Sequence, residues 1–229
     1  MNLSPSPSIR QILQENITFF SGFLLYLITC TILLNIIPQG EEIFYFSERR
    51  SEIGDIFFLY ATKIGEWPAF IIGLVLLLSY RYRSSLSLFF LGLSVSLVSY
   101  FSKIYFAHQR PSLYFRNLGV FDQINIVEGF HLNGGANSFP SGHTMAAFAL
   151  YTYLALCIPQ KRWLGLLFFL LATLVAVSRI YLVQHFLKDI YLGAVLGVFI
   201  ALIFYYLQLR WPKREKWNQG LLRKAGNEK

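Results

Sequence analysis

Ser178-Arg179-Ile180-Tyr181-Leu182-Val183-Gln184-His185-Phe186-Leu187-Lys188-Asp189 is the polar break between two long apolar runs, 163–177 and 189–209. It carries an arginine, a histidine and an aspartate at fixed offsets. Ionisable groups at the edge of a membrane segment are costly and therefore tend to mark a site. Whether the apolar runs are membrane spans decides both the fold and the meaning of this break.

Composition decides for the membrane. Of the 229 residues, 55% are hydrophobic and 14% charged, where a soluble domain carries about 25% charged residues. Mean hydropathy is +0.49. The net charge of +8 would suit nucleic acid, but its distribution does not. Seven of the twenty Lys and Arg lie in 210–229, a juxtamembrane tail that fits the positive-inside rule and contact with anionic lipid. Cys30 and Cys157 both fall in apolar runs, so neither a disulfide nor a metal site is expected from them. The first apolar run starts late, is long and lacks a small-residue cleavage pattern, so it does not read as a cleavable signal.

In chain order, 1–17 is polar, with two Ser-Pro pairs, and is expected to fray at its start. Residues 18–37 supply enough apolar length to cross a hydrocarbon core of roughly 30 Å. Residues 41–55 read as a charged loop. Residues 56–82 are interrupted at 63–66, so either a helix kinks at Pro68 or 56–64 lies in the interface ahead of a short helix. Residues 85–105, 141–158, 163–177 and 189–209 complete six expected spans, with a long polar loop over 108–140. Placing both termini in the cytoplasm puts twelve Lys and Arg inside and eight outside, and three acids inside against nine outside. The expected architecture is all-α and polytopic: 1–17 and 210–229 cytoplasmic, 18–209 a six-helix membrane domain. The spans then end or begin near Lys103, Ser141, Ser178 and Asp189 on one outer face.

Those four points carry the chemistry. Lys103 and Arg110 flank Lys-x6-Arg-Pro; Lys103 read alone is also a snorkelling anchor. Pro140-Ser141-Gly142-His143 reads equally as a capped helix start and as an anion site, with free N–H groups and a proton-passing histidine. His185 and Asp189 are four apart. On a helical turn they share a face, and the carboxylate would take the Nδ1 proton and leave Nε2 aimed at a substrate, as in hydrolase triads; a capping Asp beside a part-buried His is the plainer alternative. Taken together, three cations, two histidines, an aspartate and a helix N-terminus suit a phosphate with three peripheral oxygens.

In order, Lys103-x6-Arg110-Pro111, Pro140-Ser141-Gly142-His143 and Ser178-Arg179-x5-His185-x3-Asp189 resemble the three-part signature of the type 2 phosphatidic acid phosphatase (PAP2) superfamily. The resemblance covers 103–189 and is complete at every signature position. It implies that His185 attacks phosphorus to form a phosphohistidine, that Asp189 holds His185, and that His143 protonates the leaving oxygen and then activates water. Lys103, Arg110, Arg179, Ser141 and the Gly142 N–H would bind the phosphoryl oxygens, and no metal or other cofactor would be needed.

The expected function is therefore a bacterial inner-membrane lipid phosphatase with its site facing the periplasm. Its substrate would enter sideways from the bilayer, with phosphatidic acid, phosphatidylglycerol phosphate, undecaprenyl pyrophosphate and lipid A as candidates. A phosphotransferase using the same site is one alternative. A non-catalytic lipid-phosphate binding or transport protein is another, although binding alone needs neither histidine. Nucleic acid is not an expected partner. His108 and His131 read as structural, Tyr114 and Arg116 as candidate headgroup contacts. The aromatics Phe44, Tyr45, Phe46, Phe57, Phe58 and Tyr60 read as an interface belt or an entrance for lipid tails.

Overall fold

A computed structural model describes residues 8–158, 162–211 and 215–221. Most of the basic tail, and Lys161, lie outside the described residues. Every regular element among them is helical: α1 (Ile9–Glu15), α2 (Ile17–Ile36), α3 (Glu41–Glu48), α4 (Glu52–Ala61), a 3₁₀ turn (Thr62–Gly65), α5 (Trp67–Tyr80), α6 (Tyr82–Phe106), α7 (Pro111–Asn117), a second 3₁₀ turn (Phe121–Gln123), α8 (Gly142–Cys157), α9 (Arg162–Tyr181), α10 (Leu187–Arg210) and α11 (Glu215–Asn218).

The apolar surface of the long helices points outward. On α2 only Phe19, Tyr26 and Cys30 are buried, while Leu24, Leu25, Ile28 and Ile32 are exposed. On α6, Phe89, Phe90, Leu93, Leu97 and Phe101 are likewise exposed. Apolar surface on this scale is stable only against hydrocarbon. Among the described residues, four segments are long and apolar enough to cross a membrane: α2, Tyr82–Asn117 (with α6 at its head), α9 and α10. The pair formed by Glu52–Gly65 and α5, bent by 50°, makes a fifth if it counts as one span. Six were expected. The difference lies in α8, whose 16 residues rise about 24 Å at 1.5 Å each.

α8 is the axis of the bundle, buried along almost its whole length from Thr144 to Leu156. Small residues on α10 let the two backbones close up. A Cβ added at Gly193 would lie 2.7 Å from the Ser141 carbonyl oxygen, and one at Gly197 only 2.4 Å from that of Met145. Small residues four apart are what permit such close helix contact in membranes. The contact fixes the start of α8 against the start of α10, and the site forms there.

One expectation changes. Residues 41–55 are not a loop but α3 and the start of α4. Gly40 enters α3 in the left-handed region (φ 104°), and Ser51 caps α4 by accepting from the Gly54 N–H at 3.1 Å. The acids that looked loop-like stand in the two first turns, Glu41 and Glu42 in α3 and Glu52 and Asp55 in α4, where the helix dipole favours them. At the N-terminus the expected fraying of the first residues lies outside the described residues, and Ser8 and Gln11 form a capping box that starts α1.

Two apolar cavities stand out among the described residues. One, of about 770 Å³, lies between α2, α3, α9 and α10, with Phe44, Tyr45 and Phe46 on its wall. The other, of about 290 Å³, runs between α5 and α6 and is bounded by Glu66, Trp67, Phe70, Phe89 and Ala146.

Candidate active site

The stretch Leu182–Phe186 is a tight connection, not the start of a helix. Val183 stands at φ 56°, a conformation costly for a β-branched residue and held by its surroundings. The Gln184 and His185 N–H groups both donate to the Arg179 carbonyl, at 2.9 and 3.2 Å. Phe186 is the N-cap of α10. His185 therefore precedes the helix. It meets Asp189 because Asp189, in the first turn, folds back over the cap and accepts the Phe186 N–H at 3.0 Å. The same oxygen, Oδ2, lies 3.2 Å from His185 Nδ1 and accepts the Ser138 hydroxyl at 2.5 Å. The expected pairing is present, but a helix cap makes it where a shared helical face was expected.

The pair is enclosed, with side-chain exposures of 2% for His185 and 0% for Asp189. Burial pushes the His185 imidazole down to about 4. Asp189 opposes this, and Arg179 and Arg110 add to it. The ring is neutral at physiological pH, the form in which an imidazole nitrogen is nucleophilic.

The cations come from three elements. Arg110 stands just before α7 and is buried. Its Nε donates to Asn137 Oδ1 at 2.6 Å and one Nη donates to the Gln184 side-chain oxygen at 3.2 Å. Asn133 also donates to that oxygen, at 2.7 Å. Arg179, in the last turn of α9, is 4% exposed. Its Nη1 donates to Thr62 Oγ1 at 2.6 Å, while its buried Nε has no partner among the described residues. Lys103, in the last turn of α6, lies beside the start of α8: a Cβ added at Gly142 would come within 3.6 Å of its Nζ. Lys103, Arg110, Arg179 and His185 all act electrostatically on His143, so the sequence-expected groups share one centre.

Ser141 is fully buried and caps α8. Its oxygen accepts the Thr144 hydroxyl at 3.0 Å, and its N–H donates to the Asp189 carbonyl at 3.0 Å. That backbone donor is therefore occupied by the protein, which leaves the hydroxyl proton and the next N–H groups for an anion. His143 faces outward, its Nε2 3.5 Å from Glu66 Oε1, with side-chain exposures of 37% and 35%.

Several residues at the site have no motif to announce them. Ser138, Asn137 and Gln184 orient the motif residues, and Thr62 and Glu66 reach in from the turn before α5. Spacing alone gives no signal for Gln184 or Glu66; Ser138 and Asn137, just ahead of Pro140, had adjacency as their one clue. Of the residues left aside earlier, the ring of His108 packs against Phe139 at 5.0 Å, and the His131 carbonyl accepts from Gln184 at 3.2 Å. Tyr114 packs edge-on against Phe186 at 5.3 Å, and Arg116 lies over Phe121 at 4.7 Å. Among the described residues, no three His, Cys, Asp or Glu side chains are grouped as metal ligands.

Comparison with known proteins adds a separate line. The profile of the PAP2 superfamily matches residues 84–213. A lipid A 4'-phosphatase of Porphyromonas gingivalis is 30% identical over 168 residues, 69% of either chain. A lipid A 4'-phosphatase of Bacteroides thetaiotaomicron is 36% identical over 86 residues, 38% of this chain and 37% of the other. The chain thus spans little more than a third of the length of one of these relatives and about two thirds of the other. Among solved structures, Aquifex aeolicus LpxE superposes with a TM-score of 0.62 at 25% identity, over 73% of this chain and 94% of that one. A transmembrane PAP2-type phosphatidylglycerolphosphate phosphatase from Bacillus subtilis shares the fold, with a TM-score of 0.58 at 20% identity, over 86% and 98%.

Proposed function

The chain belongs to the PAP2 superfamily as a bacterial multi-pass membrane phosphatase of lipid phosphates, and from that premise we propose that it hydrolyses a phosphate monoester of lipid A through a phosphohistidine at His185. The observation that carries the mechanism is the buried imidazole, its Nδ1 3.2 Å from Asp189 Oδ2, with Arg110 and Arg179 acting on it and Lys103 beside Gly142. The unpartnered Arg179 Nε is a donor awaiting an anion, since a buried donor without an acceptor is costly.

In this reading Asp189 fixes the tautomer that leaves His185 Nε2 free. The three cations, the Ser141 hydroxyl and the Gly142 N–H stabilise the charge on the transferring phosphoryl group. His143 protonates the departing lipid oxygen and afterwards takes a proton from the attacking water. The apolar groove between α5 and α6 ends at Glu66 beside His143, a route by which an acyl chain remains in the bilayer while its phosphate reaches the cations. Residues 18–209 carry this chemistry, both termini are cytoplasmic, and the site opens towards the periplasm of the inner membrane. Lipid A is favoured over the other candidates by the activities of the relatives, one of them matched over two thirds of both chains.

The test is phosphate release by the purified protein from lipid A phosphorylated at one position or the other, phosphatidic acid, phosphatidylglycerol phosphate and undecaprenyl pyrophosphate. Fastest release from a lipid A monophosphate, abolished by His185→Ala, is the expected result. Faster turnover of a glycerophospholipid or the pyrophosphate would reassign the substrate. Transfer of phosphate to an added lipid acceptor in preference to water would make the protein a phosphotransferase.

A further inference from the structure

We propose that Glu66 is a positioning residue for His143, so that the site works with two carboxylate–imidazole pairs and not one. This rests on the assignment of His143 as the acid–base group made above. Glu66 belongs to no motif, yet its Oε1 stands 3.5 Å from His143 Nε2, and among the described residues it forms no other ion pair.

The turn that presents Glu66 is anchored from three sides. Arg179 donates to Thr62 Oγ1 at 2.6 Å. The Tyr151 hydroxyl, from α8, donates to the Ile64 carbonyl at 2.9 Å. At Gly65 a Cβ would lie 2.6 Å from Val175 Cγ1 and 3.3 Å from the His143 carbonyl oxygen, so only glycine lets the turn lie flat against α8 and α9. Glu66 then caps α5 in an extended conformation (φ −96°, ψ 177°) with Pro68 just after it. Its carbonyl accepts the Ala69 N–H and its own N–H donates to the Lys63 carbonyl, both at 3.1 Å. The backbone that carries this carboxylate is thus fixed on the same helices that hold the phosphate-binding groups.

The charges around His143 explain why such a partner is needed. Burial disfavours a proton on His143, and Arg179 on α9, His185 in the connection before α10, Lys103 on α6 and Arg110 before α7 disfavour it further. All the permanent charges in that set are positive. A proton on His143 adds one more, and Glu66 supplies a negative charge at contact distance to balance it. The chemistry requires that proton twice. In the first step the His185 Nε2–phosphorus bond forms, the phosphorus–lipid oxygen bond breaks, and the lipid oxygen takes the proton from His143. In the second the water oxygen bonds to phosphorus, the nitrogen–phosphorus bond breaks, and the water proton passes to His143. Glu66 opposes the burial and the cations, and so favours the protonated imidazole that the first step consumes and the second restores.

The experiment is the dependence of kcat and KM on pH for a lipid A monophosphate in detergent micelles, with wild type, Glu66→Gln, Glu66→Asp and His185→Ala. In Glu66→Gln, kcat is expected to fall on the order of tenfold, within the contribution of general acid catalysis, with KM nearly unchanged. Its alkaline limb should move down by about one pH unit, as expected on losing an opposite charge at this distance. Glu66→Asp should move the limb the same way by less. A Glu66→Gln profile that overlays wild type overturns the proposal, as does a uniform loss of activity with the limb in place, which marks a purely structural role. If Glu66→Gln does not fold, the limb of Glu66→Asp decides, and an unmoved limb there is equally contradictory. His185→Ala is the separate control: full activity in that variant defeats the underlying site assignment whatever Glu66 does.

Discussion

The two histidines of the site live in opposite surroundings. His185 and Asp189 are sealed at 2% and 0% exposure, wrapped by the Leu182–Phe186 connection and the first turn of α10. His143 and Glu66 stand at 37% and 35%, with Glu66 on the wall of the groove between α5 and α6. In the proposed mechanism the contrast follows a division of labour. A nucleophile must be neutral and aimed, which burial and one fixed carboxylate provide. An acid–base group must trade protons with a leaving alcohol and with water, which requires an open side. One helix–helix contact, α8 against α10 through Gly193 and Gly197, holds both environments in register.

The sharpest way to break this contrast is to remove each histidine and change the leaving group. His185→Ala is expected to lower kcat by on the order of 10³-fold or more, whether the leaving group is a lipid alcohol or p-nitrophenolate. His143→Ala should be severe on the lipid and far milder on the initial burst of nitrophenolate from p-nitrophenyl phosphate, whose leaving group departs without a proton, while steady-state turnover stays slow because water activation is still impaired. Phosphate and nitrophenolate release would measure both. Equal losses of lipid turnover and of the nitrophenolate burst for both variants would erase the distinction between them.

A smaller effect is expected from Ser138, whose hydroxyl shares Asp189 Oδ2 with His185. Ser138→Ala should lower kcat by roughly tenfold, because the carboxylate that aims His185 loses a charge-assisted bond. KM should stay near wild type. A KM effect alone would place Ser138 in substrate binding.

How much of this could be read beforehand differs by residue. That Lys103, Arg110, Ser141, Gly142, His143, Arg179, His185 and Asp189 would gather at one centre could be read from the three motifs together, although each read alone had a plainer explanation as an anchor or a cap. That His185 and Asp189 meet was legible too, although the helix-face geometry was not: the cap at Phe186 is set by the positive-φ turn at Val183. Ser138, Gln184, Thr62 and Glu66 were not legible, because ordinary polar residues acquire their roles only through tertiary contact. The same holds for 41–55, where charge density read as loop while Gly40 and Ser51 start helices. α8 looked like one span among six, yet at 16 residues it is the enclosed centre of the bundle.

The buried half also leaves a mark on stability. With an unfolded-state value of about 6.5 and a folded value of about 4, His185 binds its proton more readily unfolded. Its contribution is full above about pH 6.5 and is lost as pH falls towards 4, on the order of 1.4 kcal/mol for each pH unit inside that window. Thermal unfolding of the detergent-solubilised protein should weaken over this window, and His185→Gln should flatten the decline. An unchanged slope in that variant would mean that His185 is not the group responsible.

The smallest expected effect concerns how the sealed half is propped up. Glu42, in α3, accepts the Leu187 N–H at 2.9 Å and the Gly40 N–H at 2.8 Å, tying α3 to the first residue of α10. Glu42→Gln should cost about 1–2 kcal/mol, as for a hydrogen bond to a charged group, seen as a lower unfolding temperature with at most a modest loss of kcat. Loss of activity without loss of stability would instead give Glu42 a direct part in the chemistry.

The central claim is that phosphate passes through a covalent bond to His185. Rapid quenching of wild type during turnover of a phosphorus-labelled lipid A monophosphate, followed by peptide mapping under alkaline conditions, measures it directly. The account expects acid-labile, base-stable label on the peptide containing His185, absent in His185→Ala. Label on another residue, or turnover with no labelled protein at any quench time, would contradict it.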